Sequence, residues 1–222
     1  MSIRIVLADD HRIVRDGLAA LLARAPEFEV VGQAEDGLDA VKRVRELQPD
    51  VLVTDISMPG LNGIEAIRRI RAEHPQVKTL CLSMHDDSRM VMGMIDAGAA
   101  GYVLKGCCVD ELGLAIRKVM AGQIYLSADL VGVVVHEARK RTGEPAQAAA
   151  VLTPREREMV QLLSEGHSTA QIAERLHVSA KTVSTHRENI LHKLNMRSIA
   201  ELTRYAIREG LSSLETGGRV LA

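Results

Sequence analysis

Five polar side chains stand where apolar runs stop. Asp9 and Asp10 follow "IRIVLA", Asp55 follows "VLVT", Ser83 closes "TLCLS" and Lys105 closes "GYVLK". Short apolar runs rich in Val, Ile and Leu read as buried strands, so each polar residue sits at a strand end. Brought to one rim of a sheet, they would make a phosphoryl-transfer site. Carboxylates about 5 Å apart repel by roughly 3 kcal/mol at an effective dielectric near 20. Three of them together need a cation, and hard oxygen donors with retained water suit Mg²⁺. A carboxylate beside Mg²⁺ can attack phosphorus and become an acyl phosphate. Lys105 and the ion would neutralise charge on the transferring group, and Ser83 would donate a hydrogen bond to a phosphoryl oxygen. Singly, each residue has an ordinary alternative. Asp10 would cap a helix starting at His11, and Asp55 would open the turn that contains Pro59 and Gly60. Only the joint placement points to a site.

The elements that must position these groups alternate regularly. Strands are expected at 3–8, 28–34, 51–55, 79–83 and 101–105. Helices are expected at 11–24, 37–47, 63–74, 88–98 and 110–122. Five βα units predict an α/β fold: a doubly wound, five-stranded parallel sheet with helices on both faces. Coverage on both faces explains why the strands are apolar throughout rather than alternating. In such a sheet ligands sit outside the carboxyl ends of the strands, where the five residues lie. This domain is expected to span 1–122. Residues 128–141 suggest a further helix, and "TGEPAQAAA" (142–150) lacks an apolar period and reads as linker, so 123–150 is taken as a linker with a helix.

From 151 to 215 the pattern is all-helical, a second and smaller domain. "TPRE" (153–156), "STAQ" (168–171) and "SIAE" (198–201) carry the capping-box pattern, and "SAKT" (179–182) supplies a plainer Ser cap. Four helices are expected, at about 154–165, 168–176, 180–194 and 198–209, with Gly166 and Gly210 placed as C-terminal caps. The second and third, joined by "LHVS", have helix-turn-helix proportions. On the third, Val183, Ile190 and Leu194 share one face with Leu191 at its flank. Lys181, Thr185, Glu188 and His192 share the other, with Ser184 beside them. Arg187 falls near the inward side, where it would reach a phosphate or pair with an acid such as Glu156.

Composition excludes several classes. The chain has 222 residues, 46% hydrophobic but only 2% aromatic, with no Trp. That scarcity argues against single-stranded nucleic-acid binding, which relies on aromatic stacking. No run of 18 apolar residues predicts a membrane span, and the acids in "MSIRIVLADDH" break the apolar stretch of a signal peptide. Three cysteines, Cys81, Cys107 and Cys108, form no CxxC and fit a reducing cytoplasm. Residues 1–125 carry 15 Lys/Arg against 18 Asp/Glu, and residues 151–222 carry 10 against 8. A basic excess that small does not by itself establish DNA binding.

Residues 1–122 resemble a response-regulator receiver domain of two-component signalling, on "ADDH", "VTDISMPGLNG", "LS" at 82–83 and "GYVLKG". The stretch "LTPREREMVQLLSEGHSTAQIAERLHVSAKTVSTHRENILHKLNMRSIAEL" is similar to the LuxR-type DNA-binding domain. Together they resemble the NarL/FixJ class of response regulators. The resemblance implies a flavodoxin-like receiver with strand order 2-1-3-4-5. It implies Asp55 as phosphoacceptor, and Mg²⁺ held by Asp10, Asp55 and the backbone carbonyl of Ser57, with Asp9 ligating directly or through water. Ser83 and Lys105 would read the phosphoryl group, and Tyr102 would be the switch aromatic. It also implies Ser184, Thr185 and Glu188 as base readers, and Lys181, Thr182, His186 and Lys193 as DNA-backbone contacts. Some members carry Lys where this chain has Glu188, which implies a different operator. The implied partners are a sensor histidine kinase, double-stranded DNA and a second copy of the chain, with RNA polymerase a further one.

Three other readings compete. A phosphatase using Asp55 as covalent nucleophile would lack the second aspartate that one large family places two residues on, since that position is Ser57. A ligand-sensing LuxR-type regulator would need an apolar, usually aromatic-lined pocket. A regulator working without phosphate would not need the full set of acids, hydroxyl and lysine.

Overall fold

The computed structural model describes residues 2–84, 88–106, 109–141 and 152–212. Cys107, Cys108, the expected linker 142–150 and the end of the second domain at 213–215 lie outside them. The chain divides into two compact units, 1–143 and 144–222.

In the first unit, strands β1 (Ile3–Ala8), β2 (Phe28–Ala34), β3 (Val51–Thr54), β4 (Lys78–Ser83) and β5 (Gly101–Leu104) alternate with helices. These are α1 (Arg12–Leu22), α2 (Gly37–Leu47), α3 (Gly63–Glu73), α4 (Ser88–Ala97) and α5 (Val109–Met120). β6 (Tyr125–Leu126) and α6 (Ala128–Arg141) follow. All strand pairs are parallel, in the order β2-β1-β3-β4-β5-β6. The strands are apolar throughout because both faces are covered. Ile5, Leu7, Val51, Val53 and Leu80 pack with α5 on one side, and Val6, Ala8 and Leu52 pack with α2 and α3 on the other.

The five-strand expectation is corrected to six. β6 is two residues long, too short to show a period, and it is defined by its pairing along Gly101 and Tyr102 of β5. Gly101 makes the approach feasible: a Cβ there would lie 3.0 Å from the Tyr125 carbonyl oxygen and 2.6 Å from Leu80 Cδ1. The helix expected at 128–141 is α6. With β6 it packs on the first unit, so residues 123–141 are part of that unit's fold.

The second unit holds α7 (Pro154–Ser164), α8 (Thr169–Arg175), α9 (Ala180–Lys193) and α10 (Ile199–Arg208). Val183, Ile190, Leu202 and Ala206 are buried in its core, with Leu191 and Leu194 packed at the edge. The caps at Thr153 and Ser168 are reciprocal boxes. The third box is displaced: Ser198 accepts from Glu201 N–H, but Glu201 accepts from Arg197 rather than from Ser198. Ser198 sits at φ −146°, against −67° and −69° at the other two, and that rotation presents the preceding N–H instead.

Candidate functional site

The strand register brings the polar residues to one rim. Ala8 lies opposite Thr54, so Asp9 and Asp55 follow at the same level. Thr54 lies opposite Cys81, and Ser83 opposite Leu104, so Ser83 falls one step further out than Asp55 and Lys105 two. Hydrogen bonds extend the ladder past the strand ends: Asp55 N–H donates to Ala8 at 2.8 Å and Lys105 N–H to Ser83 at 2.8 Å. The strand order reverses between β1 and β3, which is where an open α/β sheet leaves a crevice. Gly63, the first residue of α3, seats that helix directly behind the nucleophile candidate. Any Cβ on it would overlap the carbonyl oxygen of Asp55, while its N–H donates to Ile56 at 2.9 Å.

Charge is concentrated in a small space. Asp9 and Asp55 are buried. Lys105 Nζ lies 2.6 Å from Asp9 Oδ2 and 3.1 Å from Asp55 Oδ2, bridging the two. Asp55 Oδ1 accepts from Ile56 N–H at 2.8 Å. Burial raises the pKa of Asp55; Lys105 opposes this, Asp9 adds to it, and the net shift is upward. Burial alone would lower Lys105, but Asp55 and Asp9 outweigh it, so its pKa is raised and the amine stays charged.

Asp10 joins from the adjacent loop. It does not cap α1, whose N-cap residue is His11 with no side-chain cap. His11 Nδ1 lies 2.8 Å from Asp10 Oδ1 and 3.3 Å from Asp9 Oδ1. Asp9, Asp10 and His11 thus offer atoms within 4.8 Å of one another. The sequence reading missed the His11 side chain, although its position directly after two acids was a signal. Ser83 is fully buried at the end of β4, and Ser57 is half-buried in the loop after Asp55. Tyr102 is 1% exposed, turned wholly inward.

On α9 Lys181, Thr185, Glu188, His192 and Lys193 are among the exposed residues; Thr182, Ser184, His186 and Arg187 are half-buried. Thr185 donates its hydroxyl back to the Lys181 carbonyl at 3.1 Å, so it offers outward a methyl and an acceptor oxygen. Lys193 is engaged by Glu156 at 2.9 and 3.2 Å. The suggested Arg187–Glu156 pair is therefore corrected: Lys193 and the Thr153 N–H take up Glu156.

Because Asp55 has a raised pKa, its contribution to stability is fully present below about pH 3.8 and is lost as pH rises through the folded-state value. In metal-free protein at pH 7, Asp55→Asn is expected to raise the thermal midpoint of the first unit. A gain on the order of 1 kcal/mol corresponds to about 4 °C. The gain should shrink as pH falls towards 4, followed by calorimetry. A lower midpoint in the variant would mean that Lys105 more than offsets the burial of Asp55.

Comparison with known proteins agrees with this arrangement. Residues 5–117 match the response regulator receiver domain, and residues 150–206 match the bacterial regulatory proteins of the luxR family. The transcriptional regulatory protein DegU of Brevibacillus brevis is 38% identical over 223 residues, covering 94% of each chain. The RcsB response regulator of Salmonella typhimurium superposes with a TM-score of 0.63 at 26% identity, over 94% of this chain and 98% of that one. An RcsB–DNA complex superposes with a TM-score of 0.60 at 27% identity, over 94% and 99%. The chain belongs to the response regulators of the NarL/FixJ class, transcription regulators that join a receiver domain to a luxR-type DNA-binding domain.

Proposed function

We propose that Asp55 accepts a phosphoryl group from a histidine of a sensor kinase, and that the acyl phosphate controls DNA binding by the second unit. The observation that carries this reading is the convergence of Asp9, Asp55 and Lys105, with Asp10 alongside. Asp55 Oδ1 is fastened by the Ile56 N–H, which leaves Oδ2, facing Lys105, as the attacking atom. The Oδ2–P bond forms as the P–N bond to the kinase imidazole breaks, and the electron pair returns to that nitrogen. Lys105 then shifts from the Asp55 oxygen to a phosphoryl oxygen without leaving Asp9. Ser83, at the end of β4, donates to another. Autodephosphorylation reverses the state: water attacks phosphorus, inorganic phosphate leaves and the Asp55 carboxylate is restored.

The donor set fits Mg²⁺. The carboxylates of Asp9, Asp10 and Asp55 and the Ser57 carbonyl are hard oxygen ligands, while His11 contributes nitrogen and serves as a hydrogen-bonding partner of Asp10. Asp10, Asp55 and the Ser57 carbonyl would hold the ion, with Asp9 directly or through water. When bound, Mg²⁺ supplies positive charge opposite the phosphoryl oxygens.

On the DNA side, α9 enters the major groove. Ser184, Thr185 and Glu188 face base edges, and Glu188 accepts from a cytosine amino group. Lys181, Thr182, His186 and Lys193 contact the DNA backbone, Lys193 by exchanging Glu156 for a phosphate. A homodimer reads two half-sites about one turn apart and presents the bound regulator to RNA polymerase. Among the described residues no helix is long and apolar enough to cross a membrane; the reading places the protein in the cytoplasm, where its DNA target lies. The chain is not a turnover enzyme for an outside metabolite. Repeated turnover of small phosphoesters would favour the phosphatase reading instead.

Asp55→Asn is expected to abolish labelling by acetyl phosphate, and chelation of Mg²⁺ to abolish it in the parent chain. Stoichiometric labelling of the variant, read by intact mass, would move the acceptor elsewhere. Glu188→Ala is expected to relax preference at one operator position by about 1–3 kcal/mol, the worth of a good base contact, with little change on random DNA. Equal loss on operator and random DNA, measured by fluorescence anisotropy, would remove Glu188 from the base readers.

A further inference from the structure

Tyr102 is sealed by an element beyond the five βα units. It sits on β5 yet is 1% exposed. Its apolar cluster draws Ile64 from α3, Cys81 from β4, and Val91 and Met94 from α4. From α6 it takes Leu130, fully buried, with Val134 packed against it one turn on. α6 lies along α4. A ring turning outward with α6 in place would meet that helix. A helix lifting with the ring inward would expose both Leu130 and the ring to water.

The start of α6 is fastened separately. Leu126 pairs with Tyr102 in the sheet, and Ser127 N–H donates to the Tyr102 carbonyl at 3.0 Å. The Ser127 hydroxyl donates to Glu111 of α5 at 2.5 Å and accepts from Leu104 N–H at 3.3 Å. The helix is thus pinned at its first turn to the strand that carries Tyr102 and leads into Lys105. Beyond the pin it is held by Leu130 and Val134, while Val131 and Val135 face outward. At 1.5 Å per residue, Leu130 lies about 5 Å from the pin and the far end about 20 Å. A small tilt at Leu130 is therefore magnified about fourfold where the chain leaves for residues 142–150.

We infer that α6 is a lid on Tyr102 and the lever of the receiver. An inward ring and a seated helix are one state; an outward ring and a lifted helix are the other. The state of the Asp55 site then reaches the connecting segment as a swing of α6. This last link rests on the phosphoacceptor reading, whereas the sealing does not.

The chain has three tyrosines and no Trp, so Tyr125→Phe with Tyr205→Phe leaves Tyr102 as the reporting fluorophore. In that full-length background, acrylamide should quench Tyr102 weakly. Leu130→Ala should raise the quenching constant several-fold. Gly132→Pro, at a site with open space around its Cβ, should break the helix and do the same without touching Leu130. Amide exchange in β1 and β3 should stay slow in both. In the reverse direction, Tyr102→Ala should speed exchange over residues 128–136 by about tenfold or more. The lid is overturned if Tyr102 stays protected from quencher in both variants, or if exchange in α6 ignores Tyr102→Ala. It is also overturned if both Leu130→Ala and Gly132→Pro lose β1 protection, since α6 would then be an integral part of the core rather than a lid. These readouts use no phosphoryl donor, so the lid can fail while labelling at Asp55 succeeds, and the reverse.

Discussion

The site depends on one electrostatic arrangement: two buried carboxylates, Asp9 and Asp55, held together by the single ammonium of Lys105. Without a cation the pair would repel across a short distance in a medium that screens poorly. With Lys105 in place the cluster is tolerated, and Asp55 still carries a raised pKa. Such a site is poised to gain from more positive charge on the acidic side and from a group that draws Lys105 outward. Mg²⁺ and a phosphoryl group have those two properties. The sheet exists around this arrangement in a literal sense, since its register sets which strand ends share a level.

Much of this was legible in the sequence, for physical reasons. Strands covered on both faces must be apolar throughout, so they stood out, and so did the polar residue ending each one. The outward face of α9 followed from helical periodicity, because Val183 and Ile190 are the residues its partners bury. The omissions have physical causes too. β6 has two residues and is recognisable only by its long-range pairing with β5. The displaced cap at Ser198 depends on one backbone angle. α7 and its C-cap bury Glu158, Gln161 and Glu165, which periodicity would place in water. Their burial depends on local partners: Arg155 lies 2.9 Å from Glu158, and the Gln161 amide donates to Glu165 at 2.8 Å. The pairing of Lys193 with Glu156 joins residues 37 apart, a contact that no local pattern encodes.

The two units divide the labour according to their chemistry. The first unit confines charge at a sheet rim and ties one switch candidate, Tyr102, to a helix pinned at one end. The second presents a polar helix face whose hydroxyls and single carboxylate suit base edges, with only a mild excess of positive charge behind them. A modest charge gives weak nonspecific attraction, so on the proposed reading specificity rests on base readers such as Glu188 and on two copies acting together.

The central claim is that residues from two separate strand ends, those of β1 and β3, hold one divalent ion beside Lys105. Paramagnetic broadening by Mn²⁺, added in place of Mg²⁺ to isotopically labelled full-length protein, tests it most directly. The account predicts that amide signals of residues 9–11, 55–58 and 104–105 fade together at one stoichiometric equivalent. Equal broadening at one equivalent in Asp55→Asn would contradict it, since Asp55 would then take no part in holding the ion.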